Sequence, residues 1–306
     1  MADLRLTEGG LETSLVFHHG VDLPHFAAFP LLADEGGKRV LRAYWEPYLE
    51  LVRDTGAPFV VDTATWRANA DWGAHLGYDA AALAKVNAAA VGFARGIATE
   101  MGGAGVNGVV GPRGDGYVVG QVMTEEQAAE YHLPQVGSLA EAGVDQVSAI
   151  TFTYPSEAVG FVRAATRVGV PAVVSFTVET DGRLPNGDSL RSAVERVDVE
   201  TGSAPVGYLV NCAHPTHLEG AFEDGPWLTR ITGLRANAST MSHAELDAAE
   251  ELDAGDPDDL AARYRELKDR LTALELLGGC CGTDHRHVRA IHAACRTALR
   301  PERGQR

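Results

Sequence analysis

Short apolar runs alternate with longer segments of helical period along most of this chain. The short runs are rich in Val, Ile and Phe, and eight of them predict strands, at residues 9–15, 58–64, 105–110, 144–152, 171–177, 206–211, 231–236 and 274–279. The longer segments predict helices, among them residues 40–54, 80–100, 156–168, 256–273 and 284–299. Repeated strand and helix units are typical of a parallel sheet covered by helices.

The number of these units favours a closed barrel. Residues 171–176 and 206–210 are apolar at successive positions, as parallel strands buried on both faces should be. An open, doubly wound sheet is the alternative, but the glycine-rich turns lack the G-x-G-x-x-G spacing before a helix that a dinucleotide site requires. The chain has 306 residues, 45% of them hydrophobic, and such barrels typically need about 250. We therefore predict an α/β fold, a single-domain (β/α)8 TIM barrel over residues 1–306.

The charge of the chain restricts its partners. Lys and Arg total 26 against 42 Asp and Glu, a formal net charge of -16, so nucleic acid and anionic membranes are not expected to bind. The N-terminus lacks the features of a signal peptide and no long apolar stretch occurs, which predicts a cytoplasmic protein. Four cysteines are too few for a disulfide framework, so we expect thiols or metal thiolates. The sequence does not decide between a monomer and a homo-oligomer.

Three of the four cysteines follow predicted strand ends. Cys212 comes directly after the sixth strand, and Cys280 and Cys281 follow the eighth within a Gly-Gly-Cys-Cys-Gly run. The carboxyl ends of barrel strands converge on one mouth. The flanking glycines allow unusual backbone angles, so that two successive sulfurs can face one ion. Three thiolate ligands with a fourth position open are typical of a catalytic zinc site.

An all-cysteine ligand set favours thiol chemistry. A thiol with an ordinary pKa of about 8.5 is deprotonated when it binds zinc, and soft ligands leave its sulfur nucleophilic. The expected reaction is in-line attack of that sulfur on an activated methyl group. The alternative is that these cysteines are buried core residues at a tight turn. Cys295 is predicted to be such a core residue. It shares an apolar helical stripe with Val288, Ile291 and Leu299.

Six segments distributed over nearly the whole chain carry a family resemblance. They are Glu8-Gly-Gly-Leu, Val109-Val-Gly-Pro112, Val173-Val-Ser-Phe-Thr177, Gly187-Asp-Ser-Leu190, Val210-Asn-Cys212 and Gly278-Gly-Cys-Cys-Gly-Thr283. Together they resemble the homocysteine S-methyltransferases, which include enzymes that depend on betaine or S-methylmethionine. The resemblance implies a zinc-binding (β/α)8 barrel, with Cys212, Cys280 and Cys281 as ligands, that methylates homocysteine to methionine.

Further residues at strand ends are candidates for substrate binding. They are Gly9, Gly10, Glu12, Asp62, Thr63, Trp66, Asn211 and Asn237. Trp66 offers an aromatic face that would attract a sulfonium or quaternary ammonium donor; packing at the barrel rim is its alternative role. Asn237 matches an Asn of the family pattern, although a turn residue would explain it too. His214 and His217 are expected near the zinc but outside its ligand set, because three sulfurs already suffice.

One segment departs from the family pattern. Relatives carry a Phe-Glu-Thr-Ile-Pro type segment after the fourth strand, whose Glu binds the amino group of homocysteine. This chain has Thr151-Phe-Thr-Tyr-Pro155 instead. A buried ammonium needs a compensating acceptor. Glu12, Asp62 or another carboxylate is therefore expected to replace the Glu, or the acceptor is a thiol other than homocysteine.

Chain length bears on the methyl donor. Only 25 residues follow Cys281, too few for the folate and cobalamin modules of larger methionine synthases or for the C-terminal arm of betaine enzymes. S-methylmethionine is therefore favoured over betaine. Two other functions stay open: a zinc hydrolase that activates water, and a binder of zinc or thiols without turnover.

Overall fold

The computed structural model describes residues 4–296, in which eight parallel strands lie side by side. They are β1 (Arg5–Leu6), β2 (Val60–Asp62), β3 (Gly105–Val110), β4 (Gln146–Phe152), β5 (Ala172–Phe176), β6 (Gly207–Asn211), β7 (Ile231–Ala236) and β8 (Leu276–Gly279). Their order is β1-β8-β7-β6-β5-β4-β3-β2. The N–H of Leu6 donates to the carbonyl of Pro58 at 2.8 Å, next to the start of β2, so the sheet nearly closes. The predicted (β/α)8 barrel is confirmed.

Helices connect the strands on the outside of the barrel. They are α1 (Leu11–Phe17), α2 (Glu35–Thr55), α3 (Ala70–His75), α4 (Ala80–Glu100), α5 (Glu125–Glu141), α6 (Pro155–Val168), α7 (Leu190–Thr201), α8 (His243–Asp247), α9 (Pro257–Arg270) and α10 (His285–Cys295). Short 3-10 turns occupy Pro24–Phe26, Phe29–Ala33, Pro215–Leu218 and Pro226–Arg230. The last part of the predicted helix 284–299, with Leu299, lies outside the described residues. Among residues 4–296, no helix combines the length and the apolar character needed to cross a bilayer.

The first predicted strand, at residues 9–15, is wrong. β1 is shorter and lies earlier, and Leu11 begins α1 directly after the Gly9-Gly10 pair. Leu11 and Leu15 are one helical turn apart and both are buried, which is helical rather than strand periodicity. The other seven predicted strands each overlap an observed one.

The inside of the barrel changes from apolar to polar along the strands. Four buried side chains from four strands form a separate apolar cluster at one level: Val60, Val173, Leu209 and Leu276. Side chains two residues apart on a strand share a face. Two residues further on, the same inward faces of β2, β5 and β6 carry Asp62, Ser175 and Asn211, all buried. The apolar layer therefore closes the barrel below a polar layer that faces the mouth, the end where the strands' carboxyl termini meet.

Helices α5 and α6 pack so closely at Gly160 that adding one methyl group there should destabilise the fold. A Cβ at Gly160 would lie 2.4 Å from Cβ of Ala128 and 2.6 Å from N of Ala129. We expect Gly160→Ala to lower the free energy of unfolding by about 1–3 kcal/mol, measured by urea denaturation.

Gly137 of α5 is the matched control, because nothing lies within 4 Å of its added Cβ. Gly137→Ala should leave stability unchanged or raise it by up to about 1 kcal/mol, since Ala favours helix more than Gly. Equal effects of the two substitutions would contradict this account of the α5 and α6 packing.

Candidate functional site

The position of two cysteines is set by hydrogen bonds to the end of β7. The N–H of Cys212, directly after β6, donates to the carbonyl of Arg235 at 3.0 Å. The N–H of Cys280, directly after β8, donates to the carbonyl of Ala236 at 2.8 Å. Because β7 lies between β6 and β8, these two bonds bring residues 68 positions apart in the sequence to one point of the mouth.

The sulfur atoms of Cys212, Cys280 and Cys281 form one cluster. All three lie within 4.8 Å of one another, and those of Cys212 and Cys281 are 4.0 Å apart. The predicted meeting of these cysteines is confirmed. The sulfurs of Cys212 and Cys280 are in direct contact, whereas Cys281 is not paired with another cysteine. A metal ion bound here would take all three as thiolates.

Glycines give the chain the close approaches that this cluster needs. A Cβ at Gly9 would lie 2.7 Å from the carbonyl oxygen of Thr283, and one at Gly10 would lie 2.6 Å from that of Cys280. A larger residue at either glycine would push the α1 segment away from the cysteine turn. Both predicted glycines are therefore needed for this close approach. Gly282 ends that turn with a positive φ of 79°, which glycine adopts without steric cost.

Two non-glycine residues near the sulfurs also have left-handed backbones. Cys212 has φ 55° and Thr151 has φ 66°, the latter rare for a β-branched residue. The side chain of Asn211 holds both regions together: its Oδ1 accepts from the N–H of Thr151 at 3.0 Å, and its Nδ2 donates to Oγ1 of Thr151 at 2.8 Å. Such strained conformations persist only where surrounding contacts fix them, and they are common at functional sites.

The cluster opens onto a cavity at the mouth with about 590 Å³ of empty space, part of it open to solvent. Its walls include the three cysteines and six of the predicted substrate residues: Gly9, Gly10, Glu12, Asp62, Thr63 and Trp66. The predicted residues Asn211 and Asn237 do not line it. Asn237 donates from Nδ2 to the carbonyl of Cys212 at 3.1 Å, so both asparagines support the backbone around the cysteines.

A buried charge cluster forms the floor of this cavity. The guanidinium of Arg235 hydrogen-bonds the carboxylate of Asp62, and its Nη2 lies 3.9 Å from Oε1 of Glu8. Burial lowers the pKa of Arg235, but the charges of Asp62 and Glu8 outweigh it and hold that pKa above its usual value. Burial, and then the charge of Asp62, raise the pKa of the Glu8 carboxyl. The sequence contained a signal for this cluster, since an Arg inside an apolar strand must find a partner.

Tyr117 lies against the sulfurs and was not predicted from the sequence. Its hydroxyl is 3.4 Å from Sγ of Cys212 and 3.7 Å from Sγ of Cys281. Its ring packs on His243, with the ring centroids 4.2 Å apart. Burial raises the pKa of the Cys281 thiol to about 11, so this thiol is protonated near neutral pH when no metal is bound. The glycine-rich loop that carries Tyr117 has no period that would reveal its position.

The histidines after Cys212 have other partners. Nδ1 of His214 bonds the hydroxyl of Thr216 at 2.8 Å, and Nε2 of His217 bonds the carbonyl of Thr240 at 3.0 Å. Burial lowers the pKa of His214 to about 4, so the imidazole is neutral. Cys295 is buried in the main core cluster, as predicted.

Comparison with known proteins decides the family. The sequence matches the model of homocysteine S-methyltransferases over residues 5–295. The chain belongs to this family. The resemblance noted on the sequence motifs is thereby confirmed for almost the entire described chain.

Two curated relatives each match a little over half of this chain. Homocysteine S-methyltransferase 2 of Arabidopsis thaliana is 26% identical over 182 residues, which are 57% of this chain and 52% of the relative. Selenocysteine Se-methyltransferase of Brassica oleracea var. italica is 24% identical over 181 residues, 57% of this chain and 50% of the relative. The aligned part of the chain thus spans about half the length of these curated relatives.

A solved structure shares the fold. The oxidised form of the homocysteine methyltransferase MmuM from Escherichia coli superimposes with a TM-score of 0.73 at 22% identity, covering 95% of this chain and 96% of that one. Its metallated form gives a TM-score of 0.70. The family barrel is therefore retained at low sequence identity.

Removing the buried guanidinium should destabilise the barrel strongly. We expect Arg235→Met to lower the free energy of unfolding of the metal-free protein by roughly 3–5 kcal/mol, because the buried carboxylate of Asp62 loses its cation. Urea denaturation at pH 7 measures the loss.

Arg191→Met provides the comparison, since Arg191 forms an exposed i,i+4 pair with Glu195 at 2.8 Å. That substitution should cost about 0.5 kcal/mol or less. If Arg235→Met lowered the free energy of unfolding as little as Arg191→Met does, the charge of Arg235 would not be effectively buried.

Proposed function

We propose that this protein is a zinc-dependent S-methyltransferase that moves a methyl group from a small onium donor to homocysteine and forms methionine. S-methylmethionine is the preferred donor in this proposal, ahead of betaine. The observation that carries it is the cluster of three cysteine sulfurs within 4.8 Å of one another in the wall of a mouth cavity. Family membership supports the reaction class.

The donor set fits a zinc ion. Reduced Cys212, Cys280 and Cys281 would hold the ion through three thiolates and would leave a position for a substrate atom. A zinc ion held by these residues would keep a coordinated thiol deprotonated near neutral pH. Without it, burial opposes ionisation of a thiol in this cavity, as the raised pKa of Cys281 shows.

Once the acceptor thiol is deprotonated, the methyl transfer makes one bond and breaks one. The acceptor loses its thiol proton to water of the open cavity, and its sulfur then bonds the methyl carbon. The bond between that carbon and the donor heteroatom breaks, and the electron pair stays on the donor. In-line transfer requires both substrates to be held in the same cavity, which is what the lining residues would do.

Trp66 would hold the onium group of the donor. Its ring lines the cavity, and its Nε1 donates to the carbonyl of Ile150 at 3.1 Å, which fixes the ring plane. A cation over an indole face gains up to about 2 kcal/mol when both are desolvated. Thr63 is held by its own bonds, since its Oγ1 accepts from the N–H of Val109 at 3.0 Å, and would shape the wall beside Trp66.

The segment around Phe152 favours an acceptor other than homocysteine. Phe152 stands near the position where relatives carry the amine-binding Glu, and it is fully buried against His132, with ring centroids 5.4 Å apart. This segment therefore supplies no carboxylate to the cavity. A thiol other than homocysteine, or a selenol as in the name of the Brassica oleracea relative, is the alternative acceptor.

A product assay tests the proposal directly. Reduced protein loaded with zinc is incubated with homocysteine, selenocysteine or other thiols, each with S-methylmethionine or betaine, and products are identified by mass spectrometry. We expect methionine from homocysteine, with faster turnover from S-methylmethionine. Absence of any methylated thiol or selenol across the panel would overturn the proposal.

Loss of one cysteine should remove the metal but not the fold. We expect Cys280→Ala to lose bound zinc and methyl transfer while its far-ultraviolet circular dichroism stays unchanged, because Cys280 lies after β8 and outside the strand core. Metal content of the reduced, dialysed variant is measured by mass spectrometry.

Cys295→Ala is the matched control. Cys295 is buried in the hydrophobic core and is not one of the three clustered cysteines. It should retain about one zinc per chain and nearly full activity. Unfolding of Cys280→Ala, or metal loss in Cys295→Ala, would contradict this assignment of the ligands.

A further inference from the structure

The acidic groups that line the cavity outnumber the basic ones. Three carboxyl groups, those of Glu8, Glu12 and Asp62, face one guanidinium, that of Arg235, and burial raises the pKa of both Glu8 and Glu12. An unpaired carboxylate in a partly closed cavity is costly unless a cation binds it. The identity of the unpaired carboxylate therefore indicates where a cationic group of a ligand would lie.

Two of these three carboxyl groups already have ion-pair and hydrogen-bond partners within the protein. Asp62 bonds Arg235 and also accepts from Nδ2 of Asn107 at 2.7 Å. Glu8 lies beside the same guanidinium and accepts from the hydroxyl of Thr7 at 3.1 Å. Both belong to the cavity floor, where they are at most 7% exposed.

Glu12 differs from both. Within residues 4–296, no Lys, Arg or His nitrogen lies within salt-bridge distance of its carboxylate, and its side chain is only partly buried because it opens into the cavity. Arg67 is a nearby cation, but its guanidinium is stacked between the rings of Trp66 and Trp72, at 4.2 and 3.7 Å, and donates to the carbonyl of Gly114. Among the described residues, Glu12 thus has no cation in direct contact, and burial raises the pKa of its carboxyl to about 7.

The backbone fixes Glu12 close to the sulfur cluster. The next residue, Thr13, accepts from the N–H of Gly282 through its hydroxyl at 3.2 Å, and Gly282 directly follows Cys281. The carbonyl of Thr283 accepts from the N–H of Gly10 at 3.0 Å on the other side of Glu12. These two bonds join the first turn of α1 to the cysteine turn, so both form one wall of the cavity.

We propose that Glu12 binds the ammonium group of the acceptor and so selects thiols that carry an amine at the far end of a short chain. This inference rests on the proposed function, because it assumes that the thiol end lies at Cys212, Cys280 and Cys281. An ammonium has three N–H donors and needs oxygen acceptors. A sulfonium or quaternary ammonium has none, so its preferred surface is the ring of Trp66 and not Glu12.

The test compares two thiols that differ only in the amine. Homocysteine and 4-mercaptobutyrate are titrated into reduced protein loaded with Co²⁺, whose thiolate charge-transfer absorption reports sulfur binding without turnover. Wild-type protein should bind homocysteine roughly 10- to 100-fold more tightly. Glu12→Gln should lose most of that preference, and its KM for homocysteine should rise by a similar factor with kcat changed much less.

The control is Glu179→Gln. Glu179 follows β5 at the same end of the barrel and is also partly buried, but it does not line the cavity. Its substitution should leave both affinities unchanged. Glu12→Asp, which keeps the charge on a shorter side chain, should retain part of the preference if Glu12→Gln alone disturbs folding.

The outcomes separate the two proposals. Wild-type protein that binds both thiols equally, or a Glu12→Gln variant that weakens both thiols alike, would overturn the role of Glu12 and leave the methyltransferase proposal intact. Wild-type Co²⁺ protein whose charge-transfer absorption stays the same when either thiol is added would overturn both. A preference for homocysteine that disappears only in Glu12→Gln supports the inference.

Discussion

The arrangement of the site depends on β7, whose last two carbonyl groups hold the residues that follow its neighbours on both sides. Arg235 and Ala236 accept the N–H groups of Cys212 and Cys280. In a parallel sheet the register of each strand against the next is fixed by such bonds, and a shift by one residue would turn every side chain to the opposite face. A shift of β6 or β8 relative to β7 would therefore separate the cysteines and also move Arg235 out of the barrel interior.

The same strand thus couples the sulfur cluster to the charges beneath it. Arg235 points inward between Asp62 and Glu8, where an apolar residue would give a more stable core, because a buried ion pair seldom repays its desolvation. The apolar layer of Val60, Val173, Leu209 and Leu276 shows that this barrel can close with aliphatic side chains alone. If the cavity takes the amino-acid substrate proposed above, a polar floor gives a physical reason to keep this costly cluster.

The sequence was sufficient for the barrel and for the meeting of the cysteines, because both follow from strand periodicity and from the rule that parallel strands end together. It was insufficient for β1, where two residues give no period and the apolar residues of α1 were interpreted as a strand. Tyr117 could not be predicted, since an irregular glycine-rich loop carries no signal for which side chain returns to the sulfurs. Nor could spacing choose between Glu12 and Asp62 as the free carboxylate, because the choice depends on which of them Arg235 binds.

X-ray absorption at the zinc edge of the reduced, loaded protein tests the central claim most directly. The account predicts three sulfur neighbours at about 2.3 Å and one lighter atom, changing to four sulfurs when homocysteine is added. Two or fewer sulfurs before homocysteine, or a sulfur count that homocysteine leaves unchanged, would contradict it.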